Sequence, residues 1–155
     1  MNKIIVAAFA LMATAGIAAA CPAWENAGVQ SGYTTGQDLY SPNSYNVTAG
    51  GNQSLRNCGW NHTGWVISRP DFEFRIDGLE QYGRLEIRAI GNPGCDTVLL
   101  VNDASGTWYF DDDSYGYPNP AINLYGARSG TYDIWVGTFG GGTCGAQLQM
   151  ETWYN

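Results

Sequence analysis

The chain has one lysine and one histidine, and every other basic side chain is an arginine. Fourteen Asp and Glu residues stand against seven Lys and Arg, a formal net charge of -7. With no basic cluster and a field of the wrong sign, nucleic acid and anionic membrane surfaces are disfavoured as partners. The scarcity of histidine also thins the options for catalysis. No Gly-x-Ser-x-Gly elbow occurs, and a Ser-His-Asp triad would have to be built on His62 alone. None of the four cysteines is spaced Cys-x-x-Cys, so the spacing of a zinc site is missing as well. Beyond residue 20 there is no helical periodicity lasting three turns and no apolar run long enough to span a bilayer.

What the amino terminus does contain is a targeting pattern. Lys3 gives a positive start, Ile4 to Ile17 is apolar, and Ala18-Ala19-Ala20 offers the small side chains that a signal peptidase accepts. The expected organisation is a signal peptide over residues 1–20 and a single domain over residues 21–155, exported to the periplasm or the cell exterior. Losing Lys3 takes the net charge from -7 to about -8. A competing reading makes Cys21 the acylated first residue of a lipid-anchored envelope protein, but Ala18 stands where that signal wants a Leu-like residue. Four cysteines in an oxidising compartment point instead to disulfides, with three possible connectivities. The pairing Cys21–Cys58 with Cys95–Cys144 is favoured: the second bond would tie the strand opening at Asp96 to the last strand, and the first would pin a free terminus. Each would contribute about 2–4 kcal/mol.

Gly, Asn, Ser and Pro punctuate the rest of the chain at the spacing of short strands, which makes the class all-β. Candidate strands are 44–47, 53–57, 64–68, 71–76, 84–90, 97–101, 107–110, 121–124, 131–138 and 146–153. Phe72, Phe74 and Ile76 share one face, as do Leu85, Ile87 and Ala89, with charged residues between them. Such alternation suits two packed antiparallel sheets, with Glu73-Arg75 and Glu86-Arg88 facing solvent. Tyr132, Ile134 and Val136 alternate with Asp133 and Trp135 as in a half-buried strand, and Gly140-Gly141-Gly142 reads as a hairpin turn.

The stretch from Cys95 to Gly137 is the most distinctive. Asp96-Thr97 opens an apolar run to Val101, Asn102-Asp103 to Gly106 supplies a turn, Thr107 to Phe110 is a second β-prone run, and Asp111-Asp112-Asp113 follows. Ser129-Gly130-Thr131-Tyr132 then starts a strand running to Val136-Gly137. This order resembles the bacterial pre-peptidase C-terminal domain, and most closely its stand-alone, signal-peptide-bearing relatives. The resemblance implies an antiparallel β-sandwich with jelly-roll character and a non-catalytic module. In that family the module is commonly attached to secreted peptidases, and some collagen-binding relatives use calcium.

Two constellations are candidates for a site. Asp111, Asp113, Gly116 and Asn119 fall at positions 1, 3, 6 and 9 of a calcium loop, with Asp96 or Asp103 available to complete a looser oxygen site. Against it, Tyr115 replaces the third acidic ligand and Ile122 the bidentate glutamate, and short carboxylates in loops often cap backbone N–H groups instead. The second constellation is aromatic: twenty-one residues are Phe, Trp or Tyr. Trp24, Tyr33, Tyr40, Tyr45, Trp60, Trp65, Tyr115, Tyr117, Trp153 and Tyr154 sit beside turns or charges, where flat rings suit carbohydrate or protein partners. The function expected is an exported, non-catalytic binding or structural module. Its expected working surface joins Asn102-Asp103 to Asp111–Asn119, with Asp112, Tyr115 and Tyr117, and recognises an extracellular or envelope protein or polysaccharide. A secreted hydrolase is the main alternative.

Overall fold

Apolar–polar alternation broken by glycine-bearing turns produces eleven strands in the computed structural model, which describes residues 21–154. The expected signal peptide, residues 1–20, lies outside the described residues. In chain order the strands are β1 Gln30–Thr35, β2 Asn43–Gly51, β3 Gln53–Ser54, β4 Trp65–Val66, β5 Phe72–Asp77 and β6 Arg84–Gly91. They continue as β7 Thr97–Asn102, β8 Trp108–Asp111, β9 Ala121–Tyr125, β10 Gly130–Thr138 and β11 Gly142–Trp153. No helix among the described residues is long and apolar enough to cross a membrane.

The strands form two sheets, as an all-β sandwich requires. The larger one is organised on β10, which pairs β7 on one side and β5 then β4 on the other, with β8, β1 and β3 extending those neighbours. The smaller is antiparallel in the order β2-β11-β6-β9. Phe72, Ile76, Leu99, Val101, Ile134 and Val136 from the first sheet pack on Leu85, Ile87, Ile122, Leu124, Leu148 and Met150 from the second, all buried. Burying a side chain of this kind is worth about 1.5–3 kcal/mol, so this layer is the main source of stability.

Both disulfides form as the favoured pairing has it, Cys21–Cys58 and Cys95–Cys144, with Cα atoms 5.6 and 5.8 Å apart. The second joins the chain entering β7 in one sheet to β11 in the other. The first fastens the amino-terminal segment to the 3-10 turn Arg56–Cys58. In this arrangement the Cys21 sulfur is bonded to Cys58 rather than free to carry a lipid.

Several local expectations are corrected. β1 was not apparent in the sequence and pairs parallel with β5, so the larger sheet is mixed rather than wholly antiparallel. Gln30-Ser31-Gly32-Tyr33-Thr34-Thr35 has no apolar alternation because this edge strand gives the core little; Gly32 is needed instead, since a Cβ there would lie 2.7 Å from the Phe74 ring. The glycine run at 140–142 is no hairpin: β10 and β11 lie in different sheets, and Gly141 and Gly142, with φ of 85° and 75°, turn the corner between them. β10 is buried on both faces rather than half-buried. Leu55, Val66, Leu100 and Trp135 form a second apolar cluster on the outer face of the larger sheet, joined by Trp60, Trp108 and Phe110.

Candidate functional site

The β7–β8 hairpin decides where the sequence-derived residues fall. Asn102 pairs with Trp108 near the turn, whereas Leu99 pairs with Asp111 at the open end. Asp103 is thus four residues along β7 from the level of Asp111, about 13 Å at 3.3 Å per residue. The single working surface expected from the sequence is therefore two places. Asp103 cannot complete a site at the acidic loop.

At the open end, Asp111 behaves as a backbone cap. Its Oδ2 accepts from Ser114 N at 3.0 Å and Ala121 N at 2.8 Å, and its Oδ1 accepts from Ser114 Oγ at 2.6 Å. Asn119 spends its Oδ1 on the Gly91 N–H at 3.0 Å. Asp96 does approach Asp113 and Asp112: burial foremost, and then their charges, hold its carboxyl above the usual range. Among the described residues, however, no group of three or more His, Cys, Asp or Glu side chains is arranged to hold a metal ion. Three of the roughly four acceptor sites of Asp111, the best-placed carboxylate, are taken by these hydrogen bonds. Tyr115 lies against the Arg88 guanidinium, 4.9 Å from ring centre to Cζ, and Tyr117 is exposed.

Arg88 belongs to a network that the sequence reading had placed in solvent. It pairs with Glu86, with Glu151 at 3.1 Å and with Gln149 at 2.9 Å on the outer face of the smaller sheet, and Glu86 and Arg88 are both buried. Neighbouring strands supply the partners, since Glu86 faces Glu151 and Arg88 faces Gln149 across the β6–β11 ladder.

The turn end of the hairpin has a different character. Asp103 also caps, accepting from Ser105 N, Ser105 Oγ and Thr107 N on Oδ1 and from the Tyr109 hydroxyl on Oδ2. Beside it, Asn102 and Asp133 face one another across the β7–β10 ladder, and Glu73 faces Asp133 from β5. Asn102 and Asp133 are only 4% and 5% exposed, yet Asn102 Nδ2 and Asp133 Oδ1 have no hydrogen-bond partner within the protein. Burial, and secondarily the Glu73 charge, pushes the Asp133 carboxyl up to about 6. Both side chains line an open cleft of about 580 Å³ whose walls include Trp24, Glu25, Glu73 and Arg75.

The wall is set by the amino-terminal segment. Ala23 N donates to Ser68 O and Val29 N to Pro70 O, while Gly28 N donates to Glu73 Oε2 at 3.3 Å. Arg69 grips the same segment through Gly28 O at 2.7 Å. Held there and by Cys21–Cys58, the strap presents Trp24, half exposed, over the cleft. Sequence reasoning took Asp133 as the polar partner in an alternating strand. Only an unexpected charge between Tyr132 and Ile134 hinted at more.

His62, the one histidine, stacks on the Phe110 ring at 4.2 Å.

No protein-family model matches the chain, and no curated protein does. Among solved structures, the chain is similar to the pre-peptidase C-terminal domain of a collagenase from Bacillus anthracis, at 10% identity and a TM-score of 0.47, over 78% of this chain and 94% of that one. At that level the similarity assigns neither an activity nor a ligand to this chain.

Proposed function

We propose that the chain is a non-catalytic β-sandwich binding module that works outside the cytoplasm and engages an envelope or extracellular partner through the cleft over Asn102 and Asp133. The carrying observation is the open cleft of about 580 Å³ that brings the exposed ring of Trp24 together with Asn102, Asp133, Glu25, Glu73 and Asp103. Two disulfides support the compartment, since such bonds persist where thiols are oxidised. The stacking of His62 on an aromatic ring supports the non-catalytic reading over a hydrolase. Capping by Asp111 supports a structural role for the acidic loop rather than a calcium site.

The test is capture of envelope polysaccharide and envelope protein fractions by the oxidised protein and its variants. Asn102→Ala and Asp133→Ala are expected to abolish capture, while Asp111→Ala with Asp113→Ala leaves it intact. The reverse pattern would return the working surface to the acidic loop.

A further inference from the structure

We infer that a second site, in the groove between the β1 and β2 edges of the sandwich, takes a primary ammonium on an unbranched alkyl chain, paired to Asp71. It is separate from the cleft over Asn102 and Asp133 and does not rest on that reading. The groove holds about 530 Å³, and Gln30 Nε2 joins its two sides by donating to Asn46 O at 3.3 Å. Asp71 lines it and is only 5% exposed. Its Oδ2 accepts from Val136 N, whereas its Oδ1 has no hydrogen-bond partner among the described residues. Oδ1 also keeps accessible surface, in contrast to the enclosed Asp133 Oδ1. It is an acceptor with an unmet demand that a ligand in the groove reaches.

The lining selects the chemistry. Among the described residues Asp71 is its one charged side chain, and the parts of the wall from β1, β2 and β11 are uncharged. Its charged neighbours in sequence are engaged elsewhere: Arg69 donates to Gly28 O at 2.7 Å, and Glu73 accepts from Gly28 N at 3.3 Å. From β10 only the Val136 N–H bears on its titration, against the larger effect of burial. A lone carboxylate attracts cations and repels anions. A hydroxyl or amide fills the hydrogen bond but leaves the charge unpaired. A guanidinium bonds through a two-pronged fork, and the acceptor for one prong, Oδ2, is already taken by Val136. Calcium wants roughly six to eight oxygen ligands, and no group of three or more acidic, Cys or His side chains is arranged to hold a metal among the described residues. An ammonium is a compact charge that needs one oxygen here, and the open groove leaves its other N–H groups in water. Val29, Val47 and Ile67 give the alkyl stem apolar surface to lie on. Val29 is 54% exposed, and such a stem covers it.

The experiment is NMR titration of the oxidised protein at pH 8, following the Val136 N–H and the methyl groups of Val29, Val47 and Ile67. The probes are n-pentylamine, a short blocked peptide with one lysine, n-pentanol, and the same peptide with arginine in place of lysine. Saturable shifts are expected with the amine or the lysine peptide, about tenfold tighter or more than with pentanol or the arginine peptide. Binding of pentylamine alone assigns a free amine, and binding of the lysine peptide assigns a side chain of a protein partner. Both amines stay charged throughout the range tested. Because the ammonium binds the ionised carboxyl, affinity should rise from pH 5 and level off above the Asp71 pKa of about 7, a gain of about a hundredfold. Asp71→Asn keeps an acceptor for Val136, and with it the fold, and should lose both the binding and its pH dependence. Equal binding of pentanol, binding that survives Asp71→Asn, or no saturable shift with either amine at pH 8 would overturn the assignment.

Discussion

Asp71 shows at the scale of one residue how burial alone sets a property. It stands just before β5, is buried, and accepts from Val136 N at 2.8 Å. Burial lifts its carboxyl to about 7, with the Val136 N–H pulling weakly the other way. A carboxyl raised on folding binds its proton more tightly in the native state. Its contribution is therefore fully present below the ordinary carboxylate range and is lost as pH rises towards 7. Asp71→Asn keeps the acceptor for Val136 and removes the titration. Thermal melting is expected to show the variant more stable than the parent at pH 8, on the order of 1–3 kcal/mol, with the gain shrinking towards pH 4. A pH-independent difference would contradict this account. Asp111 makes the opposite case, an acid that reads as a ligand and acts as a cap. Asp111→Ala should cost about 1–3 kcal/mol for the lost backbone bonds, and the drop in melting temperature should be the same with calcium or with chelator. A calcium-dependent drop would restore the metal reading. Residue types were thus legible in the sequence, while roles were not, because a carboxylate's role depends on which N–H groups reach it.

Elements show the same division between periodicity and cover. β5, β6 and β10 were apparent from their alternation, β7 from its apolar run, and the β7–β8 hairpin from its Asn-Asp and Gly106 turn. β1 was not, since an edge strand paired on one side needs no apolar face. Nor was the strap over residues 21–29, which has no periodicity and is held by scattered backbone bonds and one disulfide. Its attachment is testable without any ligand. Replacing Cys21 and Cys58 with serine opens a 37-residue separation, a loss of about 3–4 kcal/mol by chain entropy. Amide exchange at Ala23 and Val29 should quicken, while β5, β7 and β10 stay protected. Unchanged protection at Ala23 would mean that the strap is held without the disulfide.

For the molecule as a whole, two sheets, one main core and two cross-links followed from composition, alternation and an even cysteine count. The second apolar cluster and the cleft beside it did not, because both depend on loops 21–29 and 52–67 folding back over the larger sheet. Residues of 52–67 pack on Trp135, on a face that a simple sandwich would leave in water. The segment 21–29 also sets Trp24 and Glu25 in the wall of an acidic cleft. The most direct measurement is nitrogen–proton NMR of the oxidised protein, following the Asn102 side-chain amide and the Trp24 indole as the captured envelope fraction is added. Both signals should shift together and saturate, with the backbone of Ser114 to Asn119 unmoved. Shifts confined to that acidic loop, or none at Asn102 and Trp24, would contradict the assignment of the cleft.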